Sequence, residues 1–524
     1  MLDNDSSSNV TNGPVTYQDG DIAWVMFATV LVVIMFPGLA FFYSGMTRSK
    51  NALQLIMVVF VVMAVMTIQW YIVGYSLTFS STSHNGFIGN FDHAVFRGVD
   101  GKPNAITDKI PSLLFAGFQS MFAAITPAVA LGSVAERARI MPMIVFSLLW
   151  GTLVYNVIAY WTWNPNGWSL VMGGLDYAGG TPVHIASGAA SLAYCILVGR
   201  RRGDPEEFKA HNLANVVLGT GLLWFGWLGF NSGCALAANM RAVMICVVTN
   251  LAAACGGATW TLIDFVRDRR LSALGFCSGA IAGLVCITPA SGFVDTWSAA
   301  IIGIIGGTVC NVAMKIKEKL RFDDAVDVFA VHAIGGCTGN LLTGIFASKR
   351  IAALDGSVIE GGWVDGHWIQ IVHQITDTAA GFSYSFVVSF ILLAIINKVP
   401  GLSLRADDET EKAGMDMAEL GEVAYHWAIR RLSLGHHGLQ QQPYDCLNGS
   451  RALVAPPDRN RRSEQMAKVP SEEMPGGPES GTDTMVSIDT QCNEEMTKMV
   501  NKLRNHYDHQ DVIRAGRYKN DGLS

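Results

Sequence analysis

Two histidines stand where few ionisable residues are tolerated. His184 and His332 each lie within a long apolar stretch, 183–199 and 329–347. A titratable ring in such a stretch is costly: it marks a functional site, or it is bonded to a neighbouring helix. Imidazole both donates and accepts near neutral pH, so two of them suit a proton relay. Each histidine follows an aspartate, Asp176 and Asp327 respectively. An acid at a helix start satisfies free N–H groups and favours the dipole. Thr181-Pro182 adds an N-cap and first-turn signature for the His184 helix. Aromatic residues cluster toward one side: Phe118 and Phe122; Tyr160, Trp161, Trp163 and Trp168; Trp224, Trp227 and Phe230. They read either as an interfacial belt or as a cage that holds a small cation on ring faces, worth ~2 kcal/mol when desolvated.

The elements that position these residues are apolar helices. Half of the 524 residues are hydrophobic, only 15% are charged, and there are 54 glycines. That profile is a polytopic all-α membrane protein, in which small residues let helices approach closely. Apolar runs occupy 22–45, 52–79, 112–134, 140–161, 183–199, 214–237, 242–265, 272–290, 297–315, 329–347 and 371–397. Each is long enough to span ~30 Å of hydrocarbon, which predicts eleven transmembrane helices and termini on opposite sides. Fifteen Lys and Arg fall in the loops of one side and six in the alternate loops. The bias puts the N-terminus outside and the C-terminus in the cytoplasm of a multi-pass protein. Sequons at Asn4 and Asn9 then face outward, and no cleaved signal peptide is expected from the first twenty residues. The predicted organisation is an extracellular segment 1–21, a transmembrane domain 22–400, a cytoplasmic segment 401–427 and a mostly disordered tail 428–524. Within the tail segment, Arg405 to Trp427 has the pattern of a short helix.

The chain also repeats itself. Gly38-Leu-Ala-Phe-Phe42-Tyr-Ser44-Gly45 resembles Gly226-Trp-Leu-Gly-Phe230-Asn-Ser232-Gly233, and Ile125-Thr-Pro-Ala128 recurs as Ile287-Thr-Pro-Ala290. His184 and His332 complete a third pair, in the same order. Five spans is an odd number, so the second copy enters the membrane from the opposite side. Two inverted five-helix repeats plus an eleventh helix place a pathway between the halves.

Other chemistry finds little support. The ten cysteines show no Cys-x-x-Cys spacing, and eight of them lie in apolar segments, so neither a disulfide framework nor a metal site is expected. No nucleophile–base pair suggests an enzyme, and no cofactor or nucleic-acid partner is implied. The membrane flanks enclose almost no charged side chains besides the two histidines, which favours a path for a small, mostly neutral species.

Five motifs carry a resemblance. Phe118-Gln119-Ser-Met-Phe122-Ala-Ala-Ile-Thr126, Ala135-Glu136-Arg137, Asp176-Tyr-Ala-Gly-Gly-Thr-Pro-Val-His184, Phe225-Gly-Trp227-Leu-Gly-Phe230-Asn231-Ser-Gly233 and Asp327-Val-Phe-Ala-Val-His332 together resemble the ammonium transporter (Amt/Mep) family over about 22–425. The resemblance implies a homotrimer in the plasma membrane, one pore per subunit, surrounded by membrane lipid, with ammonium/ammonia as substrate and methylammonium as analogue. By position, Trp163 resembles the aromatic that recruits ammonium, and Asp176 the acid supporting it. Phe122 and Phe230 resemble a stacked gate. His184 and His332 resemble the paired pore histidines of the fungal high-affinity type, with Trp227 beside them. Cys234 stands where many members have a serine that bonds the ammonium, and a thiol is the weaker partner. The segment with Glu419 and Gly421 resembles one that docks beneath the pores. Arg430-Arg431-Leu432-Ser433 fits a basophilic kinase site, which makes a kinase a candidate partner of the tail.

Three functions compete on this reading: an ammonium transporter, an ammonium sensor signalling through the tail, and an Rh-like channel for neutral gas. Helix arithmetic alone does not join the histidines, since His184 lies about 24 Å from Arg200 at 1.5 Å per residue and His332 lies only five residues after Asp327. The expected topology is checked by cysteine accessibility at positions 5 and 440. Labelling of position 5 from outside and of 440 only after permeabilisation is the expected result, and labelling of both from one side overturns it.

Overall fold

The computed structural model describes residues 16–203 and 207–425. The sequons at Asn4 and Asn9, Ser433 with its basic motif, and the expected disorder of the tail beyond 428 lie outside the described residues.

Among the described residues, ten helices are long and apolar enough to cross a membrane. They are α1 (Asp19–Met46), α2 (Ser49–Phe79), α3 (Ser112–Val134), α4 (Ile140–Met172), α5 (Gly180–Val198), α6 (Leu213–Ala235), α7 (Met240–Asp268), α9 (Thr296–Leu320), α10 (Phe329–Phe346) and α11 (Gln370–Lys398). The remaining expected span, 272–290, is a shorter apolar helix, α8 (Ala273–Ile287). Fifteen residues reach only about 22 Å. Turns at Thr288–Phe293 extend the segment, so its length by itself does not make an eleventh crossing. Every backbone N–H and C=O in hydrocarbon must be satisfied within the protein, and helices do this segment by segment.

The two halves meet through reciprocal contacts. A Cβ on Gly38 of α1 would lie 2.9 Å from Leu223 N and 3.2 Å from Gly219 O of α6. Gly226 of α6, the repeat partner of Gly38, would place its Cβ 2.3 Å from Met35 Cγ and 2.5 Å from Leu31 O of α1. Each glycine therefore touches the residues three and seven positions before the other. That is the signature of a two-fold relation, in which one patch meets its own copy. The second crossing, α5 on α10, is also reciprocal, each glycine reaching the residue three positions before the other. Gly188 would set a Cβ 2.3 Å from Ala333 N, and Gly336 would set one 2.8 Å from Ile185 Cγ1 and 3.2 Å from His184 Cβ. Both glycines stand four residues after a histidine, one turn along the same face.

The segment after α11 packs against one end of the bundle, here termed the tail end. A six-residue helix α12 (Asp408–Ala413), capped by Asp407, is followed by a single wide turn, Asp416–Leu420. The expected helix over 405–427 is thus two short pieces, broken at Gly414.

The crossing geometry predicts a contrast within α6. Gly226→Val forces a side chain into the Leu31 carbonyl and should cost at least ~1–3 kcal/mol. Gly221→Ala has nothing within 4 Å and should gain up to ~1 kcal/mol from helix propensity. Thermal unfolding of the detergent-solubilised protein distinguishes them, and equal stability of the two variants contradicts the close crossing.

Candidate functional site

The start of α5 is built by a carboxylate. Asp176 Oδ1 accepts the N–H groups of Gly179 at 2.9 Å and Gly180 at 2.7 Å, and its Oδ2 accepts Thr181 N–H at 2.6 Å. Asp176, rather than Thr181, is therefore the cap. Gly179 adopts φ +112° to aim three consecutive N–H groups at one side chain. Burial, and then the nearby Asp377 carboxylate, push the Asp176 pKa up to about 6 against the pull of those three bonds. Thr181 lies inside the helix, and its hydroxyl donates to Asp377.

The second half corrects the expected acid. Asp327 does not cap α10. It sits at φ +62° and pairs with Lys317 Nζ at 2.5 Å. The cap is Asp324, whose Oδ2 accepts Phe329 N–H at 2.7 Å. Asp324 lies eight residues before His332, as Asp176 lies eight before His184. That spacing was present in the sequence as a signal. Both helices open with a π turn, Gly180–Ile185 and Phe329–Ile334, which carries the histidine. Such turns bulge a helix locally and occur often at functional sites.

The rings meet. His184 Nδ1 and His332 Nδ1 are 3.2 Å apart, and both residues are buried. One nitrogen donates and the other accepts. Trp227 stacks on His184 with centroids 5.3 Å apart and a 24° interplanar angle, its indole N–H held by Thr288 Oγ1 at 2.9 Å. Thr288 belongs to the repeated Ile-Thr-Pro-Ala motif; its counterpart Thr126 donates to Phe122 O. An apolar cavity of about 30 Å³ runs past the pair, lined by Leu39, Phe42, Val129, Leu223, Ile281, Val331 and both histidines. It has room for roughly two water-sized molecules.

Toward the end opposite the tail, Phe122 lies on Phe230 with centroids 4.1 Å apart. Trp163 follows, edge-on to Phe122 at 6.1 Å, its indole N–H on Asp176 O at 3.2 Å. The order Trp163, Phe122, Phe230, His184 is therefore a continuous row of ring contacts. Phe118 joins it, 5.0 Å from Phe122. The Cys234 thiol is half-buried beside the stack and donates to Phe230 O at 3.2 Å. The other aromatics divide away from the site. Trp161 packs on Trp168 and bonds Phe87 O, Tyr160 bonds Ser83 O, and Trp224 bonds Asn250 of α7.

The match to the ammonium transporter family model covers residues 23–425. The chain belongs to the ammonium transporter family. It is 48% identical over 429 residues to ammonium transporter 1 of Schizosaccharomyces pombe, covering 81% of this chain and 86% of that protein. The crystal structure of Saccharomyces cerevisiae Mep2 matches with a TM-score of 0.71 at 45% identity, over 75% of this chain and 91% of that one. A solved sensor Amt protein matches with a TM-score of 0.70 at 29% identity, over 76% of this chain and 98% of that one. This ammonium transporter family member is thus a multi-pass membrane protein.

One acid escaped the sequence reading, and so did the manner in which the expected tail segment docks. The expectation of almost no charge between the flanks fails at Asp377, a buried carboxylate in α11. Nothing in the apolar run 371–397 marked it beyond its being an acid. The tail segment, in turn, touches the bundle through helix starts. Asp416 accepts the N–H groups of Leu53 at 3.0 Å and Gln54 at 2.8 Å in the first turns of α2. Glu419 accepts Ile140 N–H at 3.0 Å, where α4 begins, and pairs with Arg139 at 3.2 Å. Gly421 ends that turn at φ +69°. Glu411 binds Arg405 at 2.7 Å and Arg202 N–H at 2.7 Å.

Proposed function

We propose that the chain transports ammonium by recruiting the cation, stripping one proton and passing ammonia. The observation that carries this reading is the 3.2 Å Nδ1–Nδ1 pair in an apolar cavity behind the Phe122–Phe230 stack. Trp163 holds ammonium by its ring face, with Asp176 fixing the loop beneath it and Cys234 as a weak polar partner. Phe122 and Phe230 form the gate. Taking a bare cation into such a passage costs several kcal/mol, whereas ammonia is far cheaper to move. Potassium has no proton to leave behind and stops at the gate. His184 and His332 relay the abandoned proton, and Trp227 fixes the His184 ring. The protein works in the plasma membrane as a homotrimer with one pore per subunit, its N-terminus outside and its tail in the cytoplasm. The segment α8 with its turn completes the eleventh crossing.

The relay requires that His184→Ala and His332→Ala, reconstituted in liposomes, lose ammonium current at least about tenfold or lose discrimination against potassium, as expected for general acid–base groups worth ~10²–10⁴-fold. Wild-type current and selectivity in both variants exclude the relay. A neutral-gas channel predicts ammonia flux with no current at all, and a pure sensor predicts neither. The sensor reading draws on the likeness to the sensor Amt protein and on the long tail.

The segment 401–427 regulates the passage in this reading, because Asp416 and Glu419 hold the starts of α2 and α4 from outside the bundle. Removing a capping side chain costs ~1 kcal/mol. The double variant Asp416→Ala/Glu419→Ala should therefore expose the bond after Lys412 to trypsin and lower ammonium flux several-fold, with the oligomer intact on size exclusion. Full flux together with an exposed tail overturns the regulatory role.

A further inference from the structure

Asp377 has no place in the passage just described, yet it is buried inside a membrane helix. A carboxylate there is retained only where something needs it. Its partners say what. Oδ1 accepts Ser169 Oγ at 2.5 Å, and Oδ2 accepts the Thr181 hydroxyl and Asn340 Nδ2, the latter at 3.2 Å. Asn340 Nδ2 also reaches Thr181 Oγ1 at 2.8 Å. Thr181 belongs to the π turn that carries His184, and Asn340 lies eight residues after His332 on α10. The three side chains thus clip the two histidine helices together from behind, away from the cavity lining.

The rest of α11 is shaped for the same contact. Asp377, Gly381 and Ser385 fall at intervals of four, on one face. A Cβ at Gly381 would lie 2.3 Å from the Thr181 methyl group, so the glycine makes room for that side chain. Ser385 Oγ donates to Ala186 O at 2.7 Å, just past the π turn. An acid, a gap and a hydroxyl therefore grip α5 at Thr181 and Ala186, and at Thr181 that grip joins the contact with Asn340 of α10. A π turn is a rare, local departure from the α-helix, and these bonds from α11 brace it at either end.

We propose that Asp377 is a positioning residue: through Thr181 and Asn340 it fixes the π turn of α5 so that His184 Nδ1 faces His332 Nδ1. The consequence for transport rests on the relay reading above; the positioning itself does not. In a low-dielectric site the acceptor is specific. Asparagine at 377 keeps the shape but removes the charge and one acceptor: with its N–H toward Thr181 and Asn340 it meets the Asn340 donor, and with its N–H toward Ser169 it forces that hydroxyl to reverse, leaving in either case a neutral, weaker clip.

The test separates geometry from flux. Protein labelled with ¹⁵N-histidine in liposomes should give a through-bond N–H···N coupling between two rings, assigned by its absence in His184→Ala. Asp377→Asn and Thr181→Val should each lose that coupling, and Thr181→Ser, which restores the hydroxyl, should keep it. Ammonium flux should fall at least tenfold in the first two and recover in the third. Thr181→Val covers the case in which Asp377→Asn fails to fold. A coupling retained in Thr181→Val, or in a folded Asp377→Asn, overturns the inference. A coupling lost while flux stays at the wild-type level upholds the positioning and overturns the relay.

Discussion

The contact on which the structure depends is the crossing of α5 and α10. Two imidazoles in an apolar interior must satisfy one another, because hydrocarbon offers no partner. They meet only if the backbones come close, and Gly188 and Gly336 provide that approach reciprocally. A methyl group at either position would press on the opposite helix. The α1–α6 crossing repeats the device with Gly38 and Gly226. Lipid gives helices no hydrophobic reason to associate, so such small-residue contacts carry much of the packing.

Carboxylates at helix starts are the second recurring device. Asp176 and Asp324 hold the first turns of the two histidine helices, and Asp416 and Glu419 hold those of α2 and α4. The physical reason is shared. The first N–H groups of a helix lack intrahelical partners, and an anion satisfies both the bonds and the dipole. The difference lies in where the acid comes from. The first two are local, five residues or fewer before the N–H groups they bond. The last two arrive from the far end of the chain, so the tail becomes part of two transmembrane helices.

The passage itself gains its character from what surrounds it. In the proposed passage, a narrow apolar cavity beside two imidazoles opposes bare charge by desolvation rather than by a fixed opposing charge. The row of ring contacts above it is continuous from Trp163 to His184. Asp377 stays outside that lining and acts on it through hydroxyl and amide groups of the wall.

Period, composition and glycine content determined the fold class, the approximate spans and the internal repeat, because hydrocarbon imposes a length and a polarity on every crossing segment. The family resemblance named Trp163, Phe122, Phe230, Trp227, His184 and His332, and the structure joins all six by ring contacts. Tertiary structure decided the rest. Helix arithmetic left the rings far apart; a crossing set by glycines joined them. Adjacency suggested Asp327 as the cap, but its backbone turned it to Lys317 and left the work to Asp324. Trp161, Trp168 and Trp224 read like their neighbours and face elsewhere, since one residue of rotation on a helix changes a side chain's partner by about 100°. Asp377 was legible as an acid in an apolar run, but its partners lie some 40 to 200 residues away, and no local pattern encodes them.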